Sequence, residues 1–277
     1  MRGFSGWWFA VLAFLAAIPA FGAGNDRGIA VPVVAEWLIG GWTGDRWVGA
    51  EEIASAATDG LGYGIYGFDS RIGTGVGSAA IPVEGPGEYF DVPISGMPEE
   101  PVDSLDEASG GHALAVGAGW NALPRLPKRQ SGGFEPYERE VGRILKENGM
   151  PSAKAVIRRI VRADLDGDGT EEVIVCAGTA DARIPRFRKN TYSMVLFRCL
   201  VRGKVETTVI HQEYFRKDVE GEANSPSAWD IPFVLDLNGD GVMEVILSGR
   251  YYEGAWYEIH EFRDGALKRV VTEGVGA

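Results

Sequence analysis

The chain has 277 residues, 45% of them hydrophobic, and its 39 acidic side chains outnumber 27 basic ones for a formal net charge of −12. That length allows one large or two small domains with a full core. The acidic balance excludes a nucleic-acid binder working through phosphate contacts and argues against attachment to anionic lipid, since both select basic surfaces.

The first residues read as an export signal. Met1-Arg2 is a short positive region, and Trp7 to Phe21 is apolar apart from Pro19. Small residues around Ala20-Phe21-Gly22 place cleavage before Ala23. Without a cysteine at that junction a lipoprotein anchor is not expected. The rival, an uncleaved membrane anchor, needs about 20 apolar residues, more than this run supplies. The expectation is a periplasmic or extracellular protein with no membrane insertion after cleavage.

Residues 28–120 read as a glycine-rich, mostly β region. Val33–Ile39 and Arg46–Val48 flank a plausible hairpin connection at Gly40–Asp45. Ala50–Ala57 suits a short helix with Glu51 and Glu52 near its N-terminus. Leu61–Phe68, Glu88–Ile94 and His112–Val116 are further strand candidates, while Gly73–Ser78 and Met97–Gly111 read as loops. Trp37, Trp42 and Trp47 recur at intervals of five, matching neither secondary-structure period. They suit hairpin clamping and core packing, or a platform for sugar rings.

Residues 121–134 form a linker rich in proline and basic side chains, followed by a helix from Pro136 to Asn148-Gly149. Tyr137, Val141, Ile144 and Leu145 fall on one helical face, so the helix should dock on the repeat that follows it.

Two repeats make up the remainder. The first has strands at Ala155–Ala163, Glu172–Gly178, Tyr192–Val201 and Val205–Tyr214; the second at Ile231–Leu235, Glu244–Gly249, Ala255–Phe262 and Leu267–Val271. Four consecutively connected strands per unit is the plan of a propeller blade. In the first unit Val195, Phe197, Cys199 and Val201 alternate with Met194, Leu196, Arg198 and Leu200, so both faces should be covered. The fold class expected is mainly β (α+β): two propeller-blade-like repeats, a β-rich N-terminal region and one linking helix.

Between the first two strands of each unit lies an acidic loop. Asp164-Leu165-Asp166-Gly167-Asp168-Gly169-Thr170-Glu171-Glu172 recurs as Asp236-Leu237-Asn238-Gly239-Asp240-Gly241-Val242-Met243-Glu244. Crowding carboxylates on one tight turn is unfavourable unless a cation neutralises them. Oxygen ligands at odd spacing, with glycine at position 6, are what a Ca²⁺ loop requires. Position 12 is Val175 or Leu247, not the glutamate of an EF-hand, and a strand follows rather than a helix.

Strand, acidic loop, strand resembles the FG-GAP repeat of integrin-like β-propellers, and about 137–277 resembles the last part of exported bacterial proteins containing such repeats. The resemblance implies two structural Ca²⁺ ions, with positions 1, 3, 5, 7 and 9 as ligands. Those positions hold Asp164, Asp166, Asp168, Thr170 and Glu172, then Asp236, Asn238, Asp240, Val242 and Glu244; the family more often has Asp at position 9. Thr170 and Val242 would contribute their backbone carbonyls. The other reading is a pair of acidic surface turns without metal.

Cys176 and Cys199, the only cysteines, could pair in an oxidising compartment or remain buried thiols. The three histidines, His112, His211 and His260, read as satisfied strand residues or surface ones, with a dispersed Ser/His/Asp set as the other reading. No nucleophile elbow, HExxH zinc motif or phosphate loop occurs. Arg183, Arg186, Arg188 and Lys189 form a basic loop, and Tyr251, Tyr252, Trp256 and Tyr257 an aromatic group; either could face a protein or polysaccharide partner, or simply solvent and core. The function expected is an exported, non-catalytic calcium-binding protein with a structural, adhesion or ligand-binding role. The alternative is an exported hydrolase using the loops as scaffold.

Overall fold

The computed structural model describes residues 28–85, 87–98, 113–183, 188–218 and 226–276. The predicted signal segment, most of the Met97–Gly111 loop, His112 and Arg186 lie outside the described residues. No helix among them is long and apolar enough to cross a membrane.

The N-terminal region contributes β1 (Val31–Val34), β2 (Trp37–Leu38), β3 (Gly41–Trp42), β4 (Trp47–Val48), α1 (Ala50–Ile53) with a following 3-10 turn, β5 (Gly62–Tyr66), β6 (Arg71–Val76), β7 (Ile81–Val83), β8 (Tyr89–Asp91) and β9 (Leu114–Gly117). Seven of these strands form one sheet in the order β6-β5-β9-β1-β2-β8-β7, and β3 pairs with β4 alone. A bridge from Gly77 to Ile94 draws the exit of β6 toward the end of β8.

Two expectations are corrected here. Val33–Ile39 is two strands reversed at Ala35 and Glu36, both left-handed at φ +47° and +68°. The reversal lets Val33, Val34, Leu38 and Ile39 all bury, and no glycine or asparagine marks it. Gly73–Ser78 is largely strand, not loop: a Cβ on Gly75 would lie 2.2 Å from the Ser95 carbonyl oxygen, so glycine there permits close strand approach. The Trp42 and Trp47 rings meet edge-on at 5.2 Å across the β3–β4 hairpin, the clamping arrangement.

Next come β10 (Lys128–Arg129), α2 (Glu135–Glu147), β11 (Ile157–Ala163), β12 (Glu172–Gly178), β13 (Thr191–Val201) and β14 (Lys204–Phe215), then β15 (Ala228–Leu235), β16 (Glu244–Tyr251), β17 (Gly254–Arg263) and β18 (Ala266–Gly276). The second repeat is a four-stranded antiparallel meander β15-β16-β17-β18. The first is the same meander with one strand more, because β10 from the linker pairs with β11.

The layers stack because nearly every broad face is apolar. Val161, Ile174, Val195 and Phe197 of the first repeat pack on Ile231, Val234, Val245 and Leu247 of the second. The second repeat's other face, with Phe233, Leu235, Ile246 and Ile259, meets Val34, Trp42, Tyr66, Leu114 and Val116 of the N-terminal region. Helix α2 covers the first repeat's outer face through Tyr137, Val141, Ile144 and Leu145 against Val173, Val175, Met194 and Leu196. Burying each such aliphatic side chain contributes roughly 1.5–3 kcal/mol. The N-terminal region therefore caps the second repeat's open face.

Cys176 and Cys199 are buried thiols that form no disulfide. Cys176 pairs across with Val195, four residues from Cys199 along β13, which is roughly 13 Å of strand and beyond disulfide reach.

Candidate metal centres

The two acidic loops lie beside each other at one end of the interface between repeats, where Met243 N donates to the Leu165 carbonyl at 2.8 Å. Their backbones match. The glycines at position 4 have φ +80° (Gly167) and +73° (Gly239), and both at position 6 have φ +86°. This bends each loop so that its own N–H groups fold onto the carboxylates. Asp164 accepts from Gly167 N at 2.8 Å and Gly169 N at 3.1 Å; Asp236 accepts from Gly239 N at 2.7 Å and Gly241 N at 3.0 Å. Thr170 N donates to Asp168 at 2.6 Å and Val242 N to Asp240 at 2.8 Å.

The position-9 glutamates begin β12 and β16 and turn back under their loops. Glu172 accepts from Leu165 N at 3.0 Å, and Glu244 from Leu237 N at 2.7 Å. In the first loop carboxylate oxygens of Asp164, Asp166 and Glu172 lie within 4.8 Å of one another. Asp168, exposed, is not part of that set. The second loop forms no such set from Asp236, Asp240 and Glu244. There Asn238 is fully buried and its Nδ2 donates to Glu244 at 3.2 Å, while its Oδ1 accepts from Asp240 N at 2.9 Å.

Burial shapes the charges. Glu244 is 0% exposed, and burial pushes its carboxyl well above the usual range, against the Leu237 hydrogen bond and helped by the charges of Asp236, Asp240 and Glu261. Burial likewise raises Asp236 and Glu172. Outside the cages, Glu171 is lowered by its hydrogen bonds to Lys128 at 2.7 Å and Arg162 at 2.8 Å.

The linker straps both loops, which sequence reasoning missed. Trp120 Nε1 donates to the Asp236 carbonyl at 2.9 Å, and Asp236 N donates to the Ala122 carbonyl at 2.7 Å. Arg125 then donates from Nε to the Asp164 carbonyl at 2.6 Å, and from Nη2 to the carbonyls of Leu165 at 2.6 Å and Gly241 at 2.7 Å. One guanidinium thus ties the two loops together. The only sequence signal was a basic stretch in a chain of strongly acidic turns.

A second cluster joins the repeats elsewhere. Glu258 and His260 on β17 meet His211 on β14 across the interface between the two sheets. Both Nε2 atoms reach Glu258 Oε2, at 2.7 Å from His211 and 2.8 Å from His260, while Arg269 Nη1 lies 3.0 Å from Oε1. Burial would raise the Glu258 carboxyl, but its hydrogen bonds to both histidines and Arg269 prevail and hold it far below the usual range. Burial lowers His260 despite the attraction of Glu258. Sequence placed the two histidines in different repeats and supplied no reason to join them.

Of the remaining candidates, Arg183 pairs with Asp181 at 2.9 Å, and Trp256 packs edge-on against Trp229 with centroids 5.1 Å apart. No family model, curated protein or solved structure matches the chain.

Proposed function

We propose that the chain is an exported calcium-binding repeat protein, non-catalytic, in which ions at loops 164–172 and 236–244 brace the stacked repeats for a structural, adhesion or ligand-binding role. The observation that carries this is the gathering of Asp164, Asp166 and Glu172 carboxylate oxygens within 4.8 Å of one another, beside a second loop of matching backbone in which Glu244 is fully buried and, among the described residues, no cationic side chain is hydrogen-bonded to Glu244 or Asp236. Isolated charge is costly to bury, and a hard cation is its natural complement.

The donor set fits such an ion, since every candidate ligand is an oxygen and the first loop already gathers three carboxylates. A bound ion would supply positive charge to both cages. The chain's own contribution is rigidity: glycine bends fix the loops, Glu172 and Glu244 anchor them to the sheets, and Arg125 couples one to the other. FG-GAP resemblance gives the same assignment from sequence. The partner class remains a protein or polysaccharide.

Thermal unfolding in excess Ca²⁺ and in chelator tests this. The midpoint should rise with Ca²⁺ by mass action, and substitution of both Asp164 and Asp236 by Ala should remove the rise. A midpoint indifferent to Ca²⁺ overturns the assignment.

The alternative of an exported hydrolase has one observation in its favour, the meeting of two histidines and a carboxylate at Glu258. Turnover of a glycan, ester or peptide substrate that disappears in His211→Gln would replace the non-catalytic reading.

A further inference from the structure

Three side chains from two repeats aim their donor atoms at one point, and two irregularities of the sheets help aim them. Val195 pairs with His211 but Leu196 with Val209, so Ile210 is an extra residue in β14 immediately before His211. Ile259 pairs with Val271 but His260 with Arg269, so Val270 is an extra residue in β18 immediately after Arg269. A bulge re-aims its neighbouring side chains, and such bulges concentrate beside functional sites. Here one turns His211 toward Glu258 across the inter-repeat interface and the other turns Arg269 toward the same carboxylate. The His211 ring is further fixed by stacking on Trp229, with centroids 3.9 Å apart and planes 11° from parallel.

We propose that His211, Glu258 and His260 form a binding site for a zinc-class divalent transition metal, distinct in chemistry from the oxygen-only loops. Two imidazole nitrogens and one carboxylate oxygen are the ligand set of a three-residue zinc site with a fourth position left open. Ligands about 2.0–2.1 Å from a tetrahedral ion stand roughly 3.3 Å apart. The present separations of 2.7 and 2.8 Å therefore need to widen by about half an ångström. His211, with its side chain 20% exposed, is the member placed to move, and its side is where a fourth ligand can enter. Arg269 at Oε1 leaves Oε2 to face the ion, the orienting contact that ligating carboxylates require. Imidazole ligands favour zinc and its neighbours over Ca²⁺, so saturating the loops with Ca²⁺ leaves this site free.

Full-length mature protein, stripped with chelator and then held in excess Ca²⁺, is titrated with Zn²⁺, and with Co²⁺ as a visible-absorbing substitute. One ion per chain should bind, with the absorption of a tetrahedral cobalt site, and His211→Gln should weaken Zn²⁺ binding at least 100-fold. His211 is partly exposed, and its replacement is tolerated more readily than that of the buried Glu258. A second measurement needs no variant: in the nitrogen-15 spectrum of the unaltered protein, Zn²⁺ should move the Nε2 signals of two of its three histidines. Zinc uptake unchanged in His211→Gln, histidine signals that stay in place, or no uptake at micromolar Zn²⁺ each overturn the proposal. The last two outcomes would leave the three donors on Glu258 as a purely structural hydrogen-bond network.

Discussion

Replacing Glu244 by Gln separates the cost of a buried charge from the benefit of a bound ion. Glu244 is fully buried, and among the described residues its hydrogen-bond donors are one backbone N–H and one amide N–H, neither carrying a full positive charge. In chelator the ionised carboxylate is a penalty that Gln removes while keeping the shape and the Leu237 hydrogen bond. Relief of that penalty should stabilise the calcium-free protein by about 1–3 kcal/mol. At about 2–4 °C per kcal/mol for a chain of this size, the midpoint should rise by roughly 2–12 °C. In Ca²⁺ that advantage is cancelled or reversed. A site with a dissociation constant on the order of 10⁻⁴ M contributes about 2.7 kcal/mol at a hundredfold excess of ion, and the variant forfeits one such increment.

The pH dependence fixes the sign independently. Burial holds the folded-state value of Glu244 above its unfolded value, so protonation favours the folded chain, fully so below the unfolded value. The advantage of Gln in chelator should therefore be largest at neutral pH and shrink as pH falls through the folded value toward the ordinary carboxylate range. Calorimetric scans of both proteins, with Ca²⁺ and with chelator, at several pH values read all of this. A variant less stable than the parent in chelator at neutral pH, or with an undiminished Ca²⁺ increment, refutes the reasoning.

Arg125→Ala should cost about 3 kcal/mol in unfolding experiments, because one side chain holds three carbonyls across two loops, and it should weaken Ca²⁺ at both loops together. Lys at that position should not rescue it, lacking the fork to reach both loops. A double-mutant cycle on Arg159 and Asp230, paired at 2.8 and 3.1 Å between the repeats, should return a coupling of about 1–3 kcal/mol. Gly239→Ala should destabilise by more than Gly169→Ala when the two are compared by denaturant titration. Both glycines have positive φ, but only a Cβ at 239 would meet the Trp120 ring, at 3.1 Å, whereas 169 faces open space. Asn238→Asp should tighten Ca²⁺ at the second loop in a direct titration and lower stability in chelator, since it adds a carboxylate where an amide now stands.

What the sequence disclosed follows from local rules. Alternating apolar strands, the Asp-Gly-Asp-Gly turns and the one-sided helix from Glu135 to Glu147 are readable within a dozen residues. The strand reversal at Ala35-Glu36 was not readable, because neither residue favours a left-handed backbone; packing of Val34 and Leu38 imposes it. Gly75 looked like a loop residue because a close backbone approach and a flexible turn select the same amino acid. The acidic loops were visible as patterns. Arg125 was not, since its partners lie 39 to 116 positions away and are carbonyl oxygens that any residue could supply. The convergence of His211 and His260 on Glu258 depends on how two sheets stack, which no local pattern specifies.

Calcium calorimetry on decalcified protein addresses the central claim most directly. Two ions should bind per chain, Asp164→Ala and Asp236→Ala should each leave one, and Asp164→Ala combined with Asp236→Ala should leave none. Heats of mixing no larger than dilution for the parent protein, or stoichiometry unaltered by those substitutions, would contradict a fold braced by ions at its paired loops.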